Sequence, residues 1–166
     1  MKTIQNQTFD EERALYGSRD ILVKDCAFDG PADGESAFKE CADIRAEHCF
    51  FNLRYPFWHA KHVLVRNSVV KGEYLAWYCE DVTFENCKII GTQPLCYCKN
   101  LKLINCEMID TDLAFERSEV EATVLTPVLS IKNPYAGYIS VPSVGEIIRD
   151  DEHAKGEILI GGTRRA

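Results

Sequence analysis

Three groups of residues have types and spacings that could carry chemistry. The first is a charged row, Glu12, Glu35, Arg54 and Glu73, repeating at one position of an internal period. Two strand spacings would hold Glu35 and Glu73 about 9.6 Å apart. That is near the upper end of the roughly 6.5–9.5 Å between the carboxyls of an inverting glycoside hydrolase. Arg54 lies between them, so the same residues also describe a surface ion-pair ladder, and the ladder is the preferred reading. The glycine-rich stretch Asp29–Ser36 lies beside the row. Its Asp29, Asp33 and Glu35 are oxygen donors without the spacing of a known calcium loop.

The second group is aromatic. Tyr55, Trp58 and His59 are followed at the same positions by Tyr74, Trp77 and Tyr78, then by Tyr97, with Tyr16 and Phe115 in outer repeats. Stacked repeats would align them as a stripe. Such a stripe could hold sugar rings, form an interface between copies of the chain, or cover the core. The third group is sulfur. Cys26, Cys49, Cys87 and Cys106 form one interrupted column. Cys41, Cys79 and Cys98 form another, with Cys96 beside it. A column offers a line rather than the tetrahedral convergence of a zinc site, although Cys79, Cys96, Cys98 and His59 come nearest to one. No metal and no cofactor is expected.

The elements that would position these residues follow from the period. The segments starting at Ala42, Lys61, Glu80 and Lys99 repeat every 19 residues without gaps, and Arg19–Cys41 is a fifth copy carrying four extra residues. Positions 3 and 5 of each copy are apolar and alternate with polar residues, as in a strand; positions 8 and 10 are the next apolar pair. Position 7 absorbs the change of phase. It holds Asn6, Asp25, His48, Asn67, Asn86 and Asn105, mostly types that tolerate left-handed backbone. Nineteen residues are too few for a helical repeat and suit one coil of a parallel β-solenoid. Stacking would bring like residues together, and the position 7 side chains are expected to form a buried amide ladder.

Twenty-six acidic against nineteen basic residues give a net charge of −7, which argues against nucleic-acid or membrane-surface binding. The opening MKTIQNQTFD has no signal-peptide core, and no apolar run is long enough to span a bilayer. A cytoplasmic setting with reduced thiols is the expectation. Coils are expected over residues 1–126, about six or seven of them. An irregular C-terminal β cap is expected over 127–162, and a frayed tail over 163–166.

The segments NQTFDEERALYG, FDGPADGESA, RYPFWHAK, VVKGEYLAWY, KIIGTQPLCYCKNLKLINC and DTDLAFERSEVEA resemble an uncharacterised bacterial family of repetitive proteins. That family is carried as a domain of unknown function and grouped with the pectin-lyase-like β-helices. The resemblance implies an all-β, single-stranded right-handed parallel β-helix and no assigned activity. It also implies longer relatives with further central coils, since RYPFWH here runs straight into what looks like the C-terminal half. The catalytic sequences of polygalacturonases and pectate lyases are not visible. The expectation is a non-catalytic binding or self-associating scaffold, joined to copies through the aromatic stripe or coil edges. The alternative is a carbohydrate-binding protein or, if an enzyme, a polysaccharide lyase or glycoside hydrolase. Its substrate would meet Tyr55, Trp58, His59, Tyr74, Trp77, Tyr78 and Tyr97, with Glu35, Arg54 and Glu73 as catalytic candidates.

Overall fold

A chain that closes a coil in nineteen residues must turn sharply several times, and each one-residue turn needs a backbone that ordinary strands avoid. The computed structural model, which describes residues 1–32 and 34–161, places such turns at four positions of the coil. Position 7 is left-handed throughout, from Asn6 (φ 56°) to Asn105 (φ 52°). So are position 2 (Asp20, Asp43, His62, Asp81, Asn100), position 14 (Arg13, Ser36, Tyr55, Tyr74, Gln93) and position 18 (Gly17, Glu40, His59, Tyr78, Tyr97). Asp33 and the tail expected to fray lie outside the described residues.

In chain order the strands are β1 (Lys2–Gln5), β2 (Thr8–Phe9), β3 (Arg19–Lys24), β4 (Ala27–Asp29), β5 (Ala42–Glu47), β6 (Phe50–Asn52), β7 (Phe57–Trp58), β8 (Lys61–Arg66) and β9 (Val69–Lys71). They continue with β10 (Ala76–Trp77), β11 (Glu80–Glu85), β12 (Lys88–Ile90), β13 (Lys99–Ile109), β14 (Glu119–Val124), β15 (Val128–Lys132), β16 (Ala136–Val141), β17 (Val144–Ile148) and β18 (Glu157–Ile160). β1, β3, β5, β8, β11, β13, β14, β16 and β18 stack in parallel on one face. β2, β4, β6, β9, β12 and the end of β13 stack on a second, and β7 and β10 on a third. Ile44 faces Val63, Val63 faces Val82, and Val82 faces Leu101, so the sequence columns are the pairing register.

The fold is all-β, a parallel solenoid of roughly eight turns. The segment read as an irregular C-terminal cap takes the form of further parallel turns. β14 pairs with β16, β16 with β18, and β15 with β17. This raises the turn count above the six or seven read from the period, which breaks after Val124.

The interior is a set of columns. Phe9, Phe28 and Phe51 stack at 4.9 Å between neighbours, and Phe38 stacks on Phe57 at 5.4 Å. Phe57 and Phe84 meet edge-on at 6.0 Å across an intervening coil whose position 16 is the small Ala76. Burying each ring contributes about 1.5–3 kcal/mol. Position 12 sets how closely coils approach. A Cβ on Gly72 (φ 145°) would stand 1.9 Å from the Leu53 carbonyl oxygen, and one on Gly91 (φ 134°) 1.6 Å from that of Gly72.

The position 7 corner differs from its expected chemistry. His48, Asn67, Asn86 and Asn105 are exposed, and among the described residues no amide ladder joins them. The corner is held by backbone bonds instead, such as Asn67 N–H to the Glu85 carbonyl (3.0 Å) and Asn86 N–H to that of Ile104 (2.9 Å). At this corner the side chains lie on the outside of the coil, so the amides meet water. Side-chain rungs form elsewhere: Asn100 donates to Asp81 (2.6 Å) at position 2, Asn52 to Asp29 (2.9 Å) and Asn133 to Asp150 (2.7 Å).

Candidate functional site

Positions 14 and 18 are left-handed corners, where an L-residue other than Gly, Asn or Asp costs on the order of 1 kcal/mol. Tyr55 (φ 50°), Tyr74 (φ 56°), His59 (φ 57°), Tyr78 (φ 56°) and Tyr97 (φ 59°) nonetheless occupy them. Contacts between rings offset the cost, at about 0.5–1.5 kcal/mol per pair.

The rings form one continuous ridge. Along position 18, His59 stacks on Tyr78 at 5.2 Å and Tyr78 on Tyr97 at 4.9 Å. Along position 14, Tyr55 stacks on Tyr74 at 4.9 Å. The tryptophans of position 17 tie the two rows together. Trp58 stacks on Tyr55 at 4.9 Å, and Trp77 meets Tyr74 and Tyr97 edge-on at 5.1 and 5.2 Å. The Trp77 indole N–H donates to the Gln93 carbonyl (2.7 Å), and Lys39 Nζ lies 4.6 Å from the Trp58 ring centre. The Trp58 indole nitrogen is buried without a partner among the described residues.

Stacking decides what the ridge presents. The two faces of Tyr78 are covered by His59 and Tyr97, so its 49% exposure is ring edge and hydroxyl. Trp58 and Trp77 are half-buried. Burial, reinforced by the Glu116 carboxylate, pushes the Tyr97 hydroxyl up to about 12; burial also raises Tyr55. In the outer coil Tyr16 bonds the Glu40 carboxylate, whereas Phe115 turns inward and is fully buried.

The charged row runs beside the ridge. Glu35 bridges to Arg54 through the backbone and pairs with it at 3.6 Å through side chains. The Glu73 carbonyl accepts the Tyr55 N–H at 3.0 Å, and the exposed Glu73 is the next rung. Pro31, Asn52, Leu53, Arg54, Gly72 and Glu73 line a shallow cleft of about 370 Å³.

The thiols point inward. All eight cysteines are free and buried. Cys79 donates to the Phe57 carbonyl (2.7 Å), Cys98 to that of Ala76 (3.3 Å) and Cys96 to those of Gln93 and Pro94 (3.5 Å each). His59 is exposed and engaged with rings, so these side chains do not converge. No metal-ligating cluster occurs among the described residues.

The position 2 corner was missed from sequence. There His62 Nδ1 stands 3.1 Å from Asp81, which also accepts from Asn100. The signal was present, since Asp20, Asp43, Asp81 and Asn100 are the same residue types as position 7, but they read as the polar half of a strand.

Fold and ridge define a parallel β-solenoid of short coils carrying rings along one edge. The chain belongs to the family described as protein of unknown function (DUF3737), whose model matches residues 2–67 and 57–160. The two stretches overlap over 57–67. Neither the curated proteins nor the solved structures give a significant match.

Proposed function

We propose that the chain is a non-catalytic binding solenoid that docks its aromatic ridge against protein, either another copy of itself or a different chain. The observation that supports this is the use of ring faces inside the ladder. Sugar recognition by aromatic residues needs a free face, whereas Tyr78 offers an edge and a hydroxyl, which suit hydrogen bonding and edge contacts with a protein surface. The charged row fits the same reading: Glu35 and Arg54 neutralise each other in an exposed pair instead of holding a strained acid–base couple. The free thiols fit a reducing compartment, the cytoplasm in this proposal.

Sedimentation velocity over a range of concentrations tests the reading, on the wild type and on Tyr78→Ala. Tyr78 is the most exposed tyrosine of the central ridge, so its removal should weaken association by about tenfold or more without unfolding the chain. A wild type that stays monomeric and captures no protein through this face sinks the proposal. The carbohydrate reading rests on the polar cleft of Asn52, Arg54 and Glu73. It predicts glycan binding that is lost in Arg54→Ala and kept in Tyr78→Ala. In its enzymatic form it predicts breakdown of an acidic polysaccharide that fails in Glu73→Gln.

A further inference from the structure

Among the described residues the ridge stacks tyrosine on tyrosine at two places, Tyr55 on Tyr74 and Tyr78 on Tyr97, each at 4.9 Å between ring centres. The two pairs differ in tilt and in access. Tyr55 and Tyr74 are inclined by 28° and both are half-buried. Tyr78 and Tyr97 lie within 12° of parallel, and Tyr78 is 49% exposed, so this is the pair that a reagent in solution meets first. Tyr16 is exposed to a similar degree, at 48%, but the group over its ring is the Arg13 guanidinium, 5.6 Å from the ring centre. We propose that Tyr78 and Tyr97 form an oxidative cross-linking site, where a one-electron oxidant joins two coils through a dityrosine bond.

The backbone holds the two phenols together. They occupy the same position of successive coils with the same left-handed backbone, φ 56° at Tyr78 and 59° at Tyr97. Each corner is tied to the next coil, by the Tyr78 N–H to the Cys96 carbonyl (3.2 Å) and the Tyr97 N–H to that of Glu116 (2.7 Å). The two rings therefore leave the solenoid side by side, which brings the ortho carbons of one next to the other ring. Forming a bond between them needs one ring to tilt, and Tyr78 can do so because its outer edge is free.

The chemistry starts at Tyr78. An oxidised haem of the peroxidase class takes one electron from the exposed ring, and the phenolic proton leaves to water. The vacancy crosses the stack as an electron passes from Tyr97 to Tyr78, and Tyr97 loses its own phenolic proton. A second oxidation of Tyr78 leaves two adjacent phenoxyl radicals. They couple through ortho carbons, and each ortho hydrogen moves as a proton to restore a phenol. Two electrons and two protons have left the pair, and hydrogen peroxide, which reoxidises the haem, takes them up. Two tyrosines and one hydrogen peroxide give one dityrosine and two waters. Trp77 lies 6.3 Å from Tyr78 and 5.2 Å from Tyr97 and can share the vacancy. Its indole N–H donates to a neutral acceptor, the Gln93 carbonyl (2.7 Å), which does not take the proton, so a phenol refills the indole.

The site does not depend on docking through the ridge, which would cover Tyr78, so the test is made on the full chain diluted until sedimentation shows a monomer. The chain is treated with a haem peroxidase and limiting hydrogen peroxide for graded times, then read by dityrosine fluorescence and by peptide mass spectrometry. A peptide linking Tyr78 to Tyr97 within one chain should appear first, two hydrogens lighter than the separate peptides and resistant to dithiothreitol. Tyr78→Phe and Tyr97→Phe keep both rings and should match the wild type in circular dichroism, yet each should lose the linked peptide. Tyr55→Phe, which removes a phenol of the other pair, should keep it. The proposal is overturned if Tyr55–Tyr74 links first, or if the first link joins two chains. It is equally overturned if Tyr78 gains oxygen with no cross-link, or if the fluorescence survives in Tyr97→Phe.

Discussion

At the residue scale, single atoms decide how closely coils stack and how the chain responds to alkali. A Cβ at position 91 would overlap the Gly72 carbonyl oxygen at 1.6 Å. Gly91→Ala should therefore cost more than the roughly 1 kcal/mol of a left-handed alanine, about 2–4 kcal/mol, read as a lower chemical-denaturation midpoint. Burial raises Cys41 and Cys49 from near 9 to about 11. Their unfolded thiols ionise at the lower pH, so the stabilisation is complete below about pH 9 and is lost as pH rises to about 11. Tm should fall steeply over that window, and the fall should become shallower in Cys49→Ser. A Tm flat from pH 9 to 11 would contradict the assignment.

At the element scale, the unit is the corner and the column it starts. Asn86 sits at φ 53° with its side chain in water, so the amide contributes by tolerating that backbone. Asn86→Ala should cost about 1 kcal/mol and Asn86→Gly close to nothing, measured by urea unfolding. Position 7 was legible because Asn and Asp announce left-handed backbone. Positions 14 and 18 were not, because Tyr55, Tyr74, His59, Tyr78 and Tyr97 are types that avoid it. Only stacked neighbours make them acceptable there. Tyr74→Asn separates the two effects. It relieves the backbone and deletes the contacts with Tyr55 and Trp77, so a net loss of stability would show that the ladder outweighs the strain. The last turns were illegible for another reason. Val120 pairs with Gly137 at a spacing of 17 residues, not 19, which removes the column signal while parallel pairing continues.

At the scale of the whole molecule, each coil pairs its strands only with its neighbours, so stability should be close to additive along the axis. Deleting residues 61–79 joins Ala60 to Glu80 in register and should leave a folded, slightly less stable solenoid with strand-rich circular dichroism. Deleting 61–78 shifts every later side chain by one place and should unfold it. The overlap of the two family matches over residues 57–67 fits a chain in which coils are exchangeable units. What the amino-acid order determined by itself was the period, the register and the inward columns, because like residues recurring every 19 positions can only stack on one another. Tertiary structure alone decided which way the corner residues point, whether rings show faces or edges, and which carbonyls the thiols meet. Those properties depend on the backbone sign at four corners and on contacts between neighbouring coils, and no local pattern along the chain records them.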